Sequence, residues 1–379
     1  MKICFVHDRF KSVGGVERHL TNLANELVSR EYEIEIICFD KFHDNFLTNS
    51  LDSKIKKTQF RFPRVLGFIP LFFYLRRNRK TYKAIISSKS YVDMMTIPVV
   101  KLSRCTAKLY CTIVTLLSLQ IKFESNFFHK ILLSIIFFFN RRLYKFTDGL
   151  VVISKMGITD FNHWLPSKKN IPNISVIYNA MLKSDELIKK HEQPDHPWFS
   201  QDLENKKIPI IVSCGRLCAV KNFELLIDAF KLVKKTTDAR LLILGEGKLL
   251  GKLQKLVKNY KLEDFVSFTG VVNNPEAYFA YSDLYVLTSE YEGFGIVLVE
   301  ALAAGIPIVM SDRTPILDEI SDFNKFHRVA YDYTPEGFAA AIIEQLKLLP
   351  DYNSAQIREQ AKQFTIVNSA DKYEELFCN

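Results

Sequence analysis

Residues 283–311 constrain the fold more tightly than any other part of the chain. DLYVLTS (283–289) is a short apolar run ending in turn-type residues and reads as a strand. Gly293 and Gly295 then interrupt the chain, and Ile296 to Ala304 is almost wholly apolar, with Glu300 as the exception. Gly305 and Pro307 close this run, the usual signals of a helix C-terminus. IPIVMS follows as a further strand. The segment therefore reads as strand, glycine turn, buried helix, strand. A buried carboxylate is costly without a partner, so Glu300 needs one, and Glu292 stands at the helix mouth. Backbone N–H groups at a helix start attract anions and polar oxygens. A carboxylate inside such a helix can accept two hydrogen bonds from a vicinal diol such as a ribose. The alternative is an acid pair tied to a neighbouring Arg or Lys in a structural network.

The same alternation runs through the chain in two blocks. KICFVHD (2–8), EIEIICF (33–39), a run near 54–62, AIISS (84–88), AKLYCTIVT (107–115), DGLVVIS (148–154) and ISVIYN (174–179) are the β-type runs of the first block. Helical stretches separate them. The loop RFKSVGGVER (9–18) leads into the first helical pattern, with Gly14-Gly15 where the helix begins. Residues 181–207 are polar and carry two prolines, which places a linker at their start. Six further strands follow: PIIVSC, ARLLILG, FVSFTG, DLYVLTS, IPIVMS and HRVAYD. Alternating β and α elements in two blocks imply an α/β chain with two doubly wound parallel sheets. The expected division is 1–180, 181–355 and a closing helical segment, 356–379. Ligands of such sheets bind beyond the carboxyl ends of the strands, where the glycine-rich turns lie. The two domains are expected to face each other across a cleft.

Length and composition agree. The chain has 379 residues, enough for two ordinary domains. Seven scattered cysteines without a CxxC point to reduced thiols rather than a disulfide framework or zinc site. The start of the chain reads as a strand and not as a signal peptide. Charge is uneven. Residues 1–179 hold 28 Lys/Arg against 13 Asp/Glu, and residues 180–379 hold 23 against 29. The first half either meets something anionic or carries a solvated basic face.

GRLCAVKN (215–222) places Arg216 and Lys221 on a loop between a strand end and a helix start. Two cations beside helix N–H groups suit a diphosphate, and two solvated loop cations are the simpler alternative. GEGKLLG (245–251) is not the dinucleotide G-x-G-x-x-G, and no Walker lysine motif occurs. NAD binding and P-loop chemistry are thereby disfavoured. No Asp-x-Asp pair and no HExxH occurs, so no metal site is expected. His7 ends the first strand and could reach a cleft, though a lone histidine is more often structural. Two stretches, 65–80 and 131–146, are aromatic-rich and then basic. Neither approaches the roughly 20 apolar residues of a spanning helix. Their cations, Arg76, Arg77, Arg79, Lys80, Arg141, Arg142 and Lys145, beside exposed aromatics would suit a helix lying on an anionic membrane. Buried helices with basic ends are the alternative.

EGFGIVLVEALAAGIPIV, with its two glutamates, together with GRL…KN, resembles the signature of the retaining family 4 glycosyltransferases of GT-B fold, of the kind found in bacterial surface-polysaccharide or lipopolysaccharide assembly. The resemblance is strongest over 208–307, weakens between 40 and 145, and returns in 147–161 and 176–180. It implies Glu292 beside the donor sugar, as the catalytic residue, and Glu300 on the ribose hydroxyls. It gives Gly293, Phe294, Gly295 and Ile296 to the sugar and phosphates, and Arg216 and Lys221 to the diphosphate. Gly14-Gly15 would close on the phosphates, Val272 would contact the base through its backbone, and Gly245 would line the donor site. It implies a C-terminal helix crossing back to the first domain. It also implies a peripheral protein on the cytoplasmic face of the membrane, without cofactor, metal or nucleic acid. There are departures: TIVTLLSLQ lacks the histidine many members carry, and SDRTPILDEI lacks a frequent glycine. The expected reaction is transfer of a hexose-type unit from a nucleotide diphosphate sugar, UDP-linked by preference, to a lipid-linked glycan with retention. A sugar-nucleotide epimerase and a non-catalytic donor-binding subunit are the alternatives.

Overall fold

The computed structural model describes residues 1–10, 14–60, 66–124, 126–164, 173–187, 191–200, 208–320 and 326–378. Parts of four expected features lie outside them: residues 11–13 of the first loop, 61–62 of the run near 54–62, 65 at the start of the first basic stretch, and 188–190 and 201–207 of the linker. The chain divides into two units, Met1–Met181 with Phe364–Asn379, and Leu182–Gln363.

In the first unit, β1 (Lys2–His7), β2 (Glu33–Cys38), β3 (Lys56–Gln59), β4 (Ala84–Ser88), β5 (Lys108–Ile113), β6 (Gly149–Val152) and β7 (Asn173–Val176) form one sheet. Its order is β3-β2-β1-β4-β5-β6-β7, and every pairing is parallel. The helices are α1 (Gly15–Ser29), α2 (Phe46–Asn49), α3 (Phe68–Arg77), α4 (Ser90–Leu102), α5 (Leu117–Phe123), α6 (Phe127–Leu143) and α7 (Lys155–Trp164). Successive strand side chains point to opposite faces, and helices cover both. Ile3 and Phe5 therefore join a core with Leu20, Leu23 and Leu27 of α1. Cys4 and Val6 join another with Leu71 and Leu75 of α3 and Val92 of α4.

The final helix, Ile366–Cys378, completes this unit. Ile366, Ala370, Tyr373 and Phe377 recur at helical spacing and lie in the α1 core. Tyr110 donates to the carbonyl of Leu376 at 2.7 Å, and Arg30 of α1 pairs with Asp371 and Glu374 at 2.6 Å each.

In the second unit, β8 (Ile210–Cys214), β9 (Arg240–Leu244), β10 (Val266–Gly270), β11 (Leu284–Leu287), β12 (Ile308–Ser311) and β13 (Arg328–Ala330) form a parallel sheet of order β10-β9-β8-β11-β12-β13. Helices α8 (Phe223–Val233), α9 (Leu250–Asn259), α10 (Pro275–Ala280) and α11 (Ile296–Ala304), then Pro335–Lys347 and Ser354–Ala361, complete it. Leu298 to Ala304 of α11 are all buried, as the absence of a polar face requires. The helix lies against α10 and Ser354–Ala361, and it ends at Gly305 with φ +80°, where Arg358 caps the carbonyl of Ala304 at 3.1 Å. Each sheet has one place where the strand order reverses: β1 beside β4, and β8 beside β11.

Phe377 is 1% exposed at the centre of the α1 contact. Phe377→Ala should lower the stability of the first unit by about 3–5 kcal/mol through the cavity it leaves. Urea unfolding of the intact chain measures this, and a loss under about 1 kcal/mol means the last helix is only loosely held.

Candidate functional site

Three strand ends of the second unit are joined by backbone alone. Gly215 donates to Leu244 at 2.9 Å, Leu217 to Glu246 at 2.8 Å, and Gly245 to Gly270 at 2.8 Å. Gly245 has φ +126°, and a Cβ there would stand 2.1 Å from the carbonyl oxygen of Gly215. Only glycine permits that approach. The loops carrying Arg216, Gly245 and Val272 are therefore held side by side at the carboxyl edge of the sheet. Arg216 is exposed, Val272 half-buried, and Val271 is 69% exposed.

Lys221 and Glu292 meet across the reversal between β8 and β11. Lys221 Nζ stands 2.6 Å from Glu292 Oε1, and the Ser289 hydroxyl donates to the same oxygen at 2.6 Å. The Lys221 loop is fixed from behind. The backbone of Glu290 donates to Val220 at 2.8 Å, and Thr288 Oγ1 donates to Lys221 and Asn222 carbonyls at 3.2 and 3.0 Å. Tyr333 donates to the carbonyl of Thr288 at 2.7 Å, and the Arg313 guanidinium lies over its ring. Asn222, left-handed at φ 46°, caps α8 through its side chain.

Beyond Glu292 the chain enters α11 through Gly293, buried Phe294 and Gly295, the last at φ +91°. No side chain caps the helix start, where Leu298 donates to the carbonyl of Gly295 at 2.8 Å and Ile296 and Val297 supply the first two N–H groups of the helix. Glu300 lies inside α11 and is 6% exposed. Burial first, then the Glu300 charge, push the Cys214 thiol up to about 12. Burial, Cys214 and then both glutamates raise the Tyr285 hydroxyl, which bonds the backbone of Cys214. Both acids thus act on the β8–β11 edge.

The first unit carries a second cluster at its own reversal. His7 ends β1, Ser88 ends β4, and Lys89 follows it at the start of α4. His7 Nδ1 contacts Ser88 Oγ at 2.8 Å, and Lys89 Nζ donates to Glu17 at 2.8 Å and to Asp8 at 3.0 Å. Burial pushes the Glu17 carboxyl upward, but hydrogen bonds and charge from His7 and Lys89 outweigh it and hold the group at about 2. Glu17 lies in the first turn of α1, just after Gly14 and Gly15, so the cluster fixes that turn to the sheet. Neither Lys89 nor Glu17 stands out in the sequence as a site residue. The available signal was a cation directly after a strand end, as in the Arg216–Lys221 loop.

The basic residues lie on α3 and α6, both packed on α4, and just beyond each helix. Leu133, Ile136, Phe137 and Asn140 turn α6 inward. Phe127, Phe128, Ile131, Leu132, Ile135, Phe138 and Phe139 remain 42–81% exposed along its outer face. On α3, Phe73 is 66% exposed while Leu75 is buried. Arg142 stacks on Phe138 at 3.9 Å. Arg77, Arg79, Lys80 and Lys145 are exposed, Arg76 reaches the carbonyl of Ser103, and Arg141 is half-buried. Among the described residues, no helix is long and apolar enough to cross a membrane.

Two parallel-sheet, Rossmann-like units with these strand-end loops define a protein of GT-B type. Residues 13–181 match the family model described as Glycosyltransferase Family 4, and residues 195–364 match that described as Glycosyl transferases group 1. The chain belongs to this glycosyltransferase family. An O-antigen biosynthesis glycosyltransferase, WclY, of Escherichia coli is 25% identical over 327 residues, 85% of this chain and 83% of that protein. The N-acetylgalactosamine-N,N'-diacetylbacillosaminyl-diphospho-undecaprenol 4-alpha-N-acetylgalactosaminyltransferase of Campylobacter jejuni is 42% identical over 107 residues, 28% of this chain and 29% of that protein. The matches to this and three other curated relatives span only about a quarter to two fifths of those proteins. In fold, the chain is similar to Anabaena Alr3699/HepE, crystallised with UDP. The TM-score is 0.77 at 20% identity, and 100% of both chains is covered.

A carboxyl held low in the folded state contributes stability above its unfolded pKa, and that contribution is lost as pH falls toward the folded value. For Glu17 the window runs from about pH 4.5 down to about 2. Glu17→Gln should therefore cost on the order of 3 kcal/mol near neutrality, and the difference from wild type should shrink through that window. A difference that stays constant from pH 7 to pH 2.5 in urea unfolding contradicts the assignment.

Proposed function

We propose that this chain transfers a hexose-type sugar from a UDP-linked donor to a membrane-borne glycan, with retention of configuration. The Lys221–Glu292 contact at the β8–β11 reversal, beside the bare start of α11, is the observation that carries the reading. A departing nucleoside diphosphate needs its growing negative charge stabilised more than the acceptor needs a strong base. Arg216, Lys221 and the α11 amides with Gly293, Phe294, Gly295 and Ile296 provide positive potential along one edge. Glu300 takes the ribose hydroxyls, the backbone at Val272 takes the base, and Gly245 lets that loop close against Gly215. Glu292, steered by Lys221 and Ser289, faces the sugar. The chemistry requires no metal in this account. Gly14-Gly15 are assigned to phosphate recognition by the first unit.

The first unit takes the acceptor side. Its basic excess and the outward aromatic face of α6 support docking on the anionic inner surface of a membrane. The named activities of the Campylobacter and Escherichia relatives support a lipid-linked glycan as acceptor.

Calorimetry with UDP tests the donor assignment. Arg216→Ala and Lys221→Ala should each weaken UDP binding by about 1.5–3 kcal/mol. Glu300→Gln should raise the donor KM, and Glu292→Gln should fall mainly on kcat. Wild-type UDP affinity in both cation variants overturns the diphosphate assignment.

Flotation with vesicles tests the membrane assignment. The protein should bind anionic vesicles at low salt, bind more weakly as salt screens its cations, and stay bound in part through the α6 aromatics. Protein that remains with the soluble fraction in anionic vesicles at low salt contradicts the membrane-borne acceptor.

A further inference from the structure

We infer that the first unit contains a cation site whose resident cation is the half-buried ammonium of Lys89, and that this tethered ion positions the acceptor edge. His7, Asp8 and Glu17 are buried, and each offers one ligand atom within 4.8 Å of the others. His7 Nε2 stands 3.3 Å from Glu17 Oε1 and 3.4 Å from Asp8 Oδ1. Those separations match the edge of a tetrahedron with metal–ligand bonds near 2.1 Å, which is about 3.4 Å. The far nitrogen of His7 is engaged by Ser88 at 2.8 Å, as the outer nitrogen of a ligating histidine usually is. The constellation is that of a divalent-metal site. Lys89 Nζ occupies it instead, at 2.8 Å from Glu17, 3.0 Å from Asp8 and 3.4 Å from His7.

Two features indicate that the lysine is built in. Lys89 has φ +90°, a backbone state that a non-glycine residue keeps only when its surroundings enforce it. Its position between β4 and α4 brings the ammonium to the reversal of the sheet, where open parallel sheets take ligands. The ammonium there joins the ends of β1 and β4 to the first turn of α1. Lys89 is a positioning residue: it donates to Glu17 and Asp8, lies beside His7, and acts through them. A mobile metal ion becomes unnecessary at this edge because a tethered one is present.

The experiment removes the tether from the intact chain. Lys89→Ala removes the ammonium from beside the two carboxylates and the imidazole. It should bind one equivalent of Co²⁺ with the visible absorption of a tetrahedral site, while wild type takes up none there. Adding Glu17→Gln to Lys89→Ala should abolish the signal. In transfer assays Lys89→Ala should raise the acceptor KM on the order of tenfold, change kcat less, and regain affinity with the divalent ion. This kinetic arm rests on the proposed transferase reading and the metal arm does not. Absence of transfer by wild type, with Co²⁺ uptake by the variant intact, therefore faults that reading alone. Should Lys89→Ala fail to fold, ¹⁵N-lysine labelling of wild type decides the matter. A slowly exchanging ammonium signal that vanishes in Glu17→Gln supports the site, and its absence from wild type overturns it. No Co²⁺ uptake by a folded Lys89→Ala, uptake by wild type at His7, or an unchanged acceptor KM overturns it equally.

Discussion

The contact between Lys221 and Glu292 is the interaction on which the second unit's ligand edge depends. A cation from the loop after β8 and an acid from the loop after β11 come together only because those strands are neighbours in space. The crossover connections place β9 and β10 on one side of β8, and β11 to β13 on the other. The loops diverge at that reversal and leave a crevice. Mutual neutralisation lets both side chains sit partly buried there, at 21% and 13% exposure. A ligand phosphate can then compete for the lysine while a ligand hydroxyl competes for the acid. The pair keeps charge ready at the site without the cost of an isolated buried ion.

The first unit repeats this solution. Its strand order also reverses once, and a lysine after one central strand again meets acids presented by the neighbouring strand and helix. The difference lies in closure. Lys221 stands beside an uncapped helix start, whereas Lys89 donates to two carboxylates beside His7. Both depend on short parallel strands whose carboxyl ends stay level in register.

Much of this was legible in the sequence. Most of the described strands fall on apolar runs recognisable by length and turn residues, because strands buried on both faces carry little else, whereas β3, KKTQ at the sheet edge, is polar and largely exposed. Gly293, Gly295 and Gly305 announced α11, and the glycine at each end has positive φ. The strand-end loops with Arg216, Lys221 and Gly245 were visible as cation and glycine punctuation. What could not be read was pairing across the sheet. Lys221 and Glu292 are 71 residues apart, and His7 and Ser88 are 81 apart. No local pattern couples them; only strand order does. The aromatic stretches show the same limit. Composition marked them as basic and apolar, but which of Phe137, Phe138 and Phe139 points outward depends on how α6 packs on α4.

Hydrogen exchange with and without UDP reports on the whole edge of the second unit at once. Slower exchange on UDP binding is predicted at 215–222, 245–247, 270–272 and 293–300, where backbone amides and their supporting loops would meet the nucleotide. The remote surface of the second unit, such as the outer face of α9, should be unchanged. Slowed exchange confined to other segments, or no change at saturating UDP, would contradict the assignment of this edge as the nucleotide-sugar site.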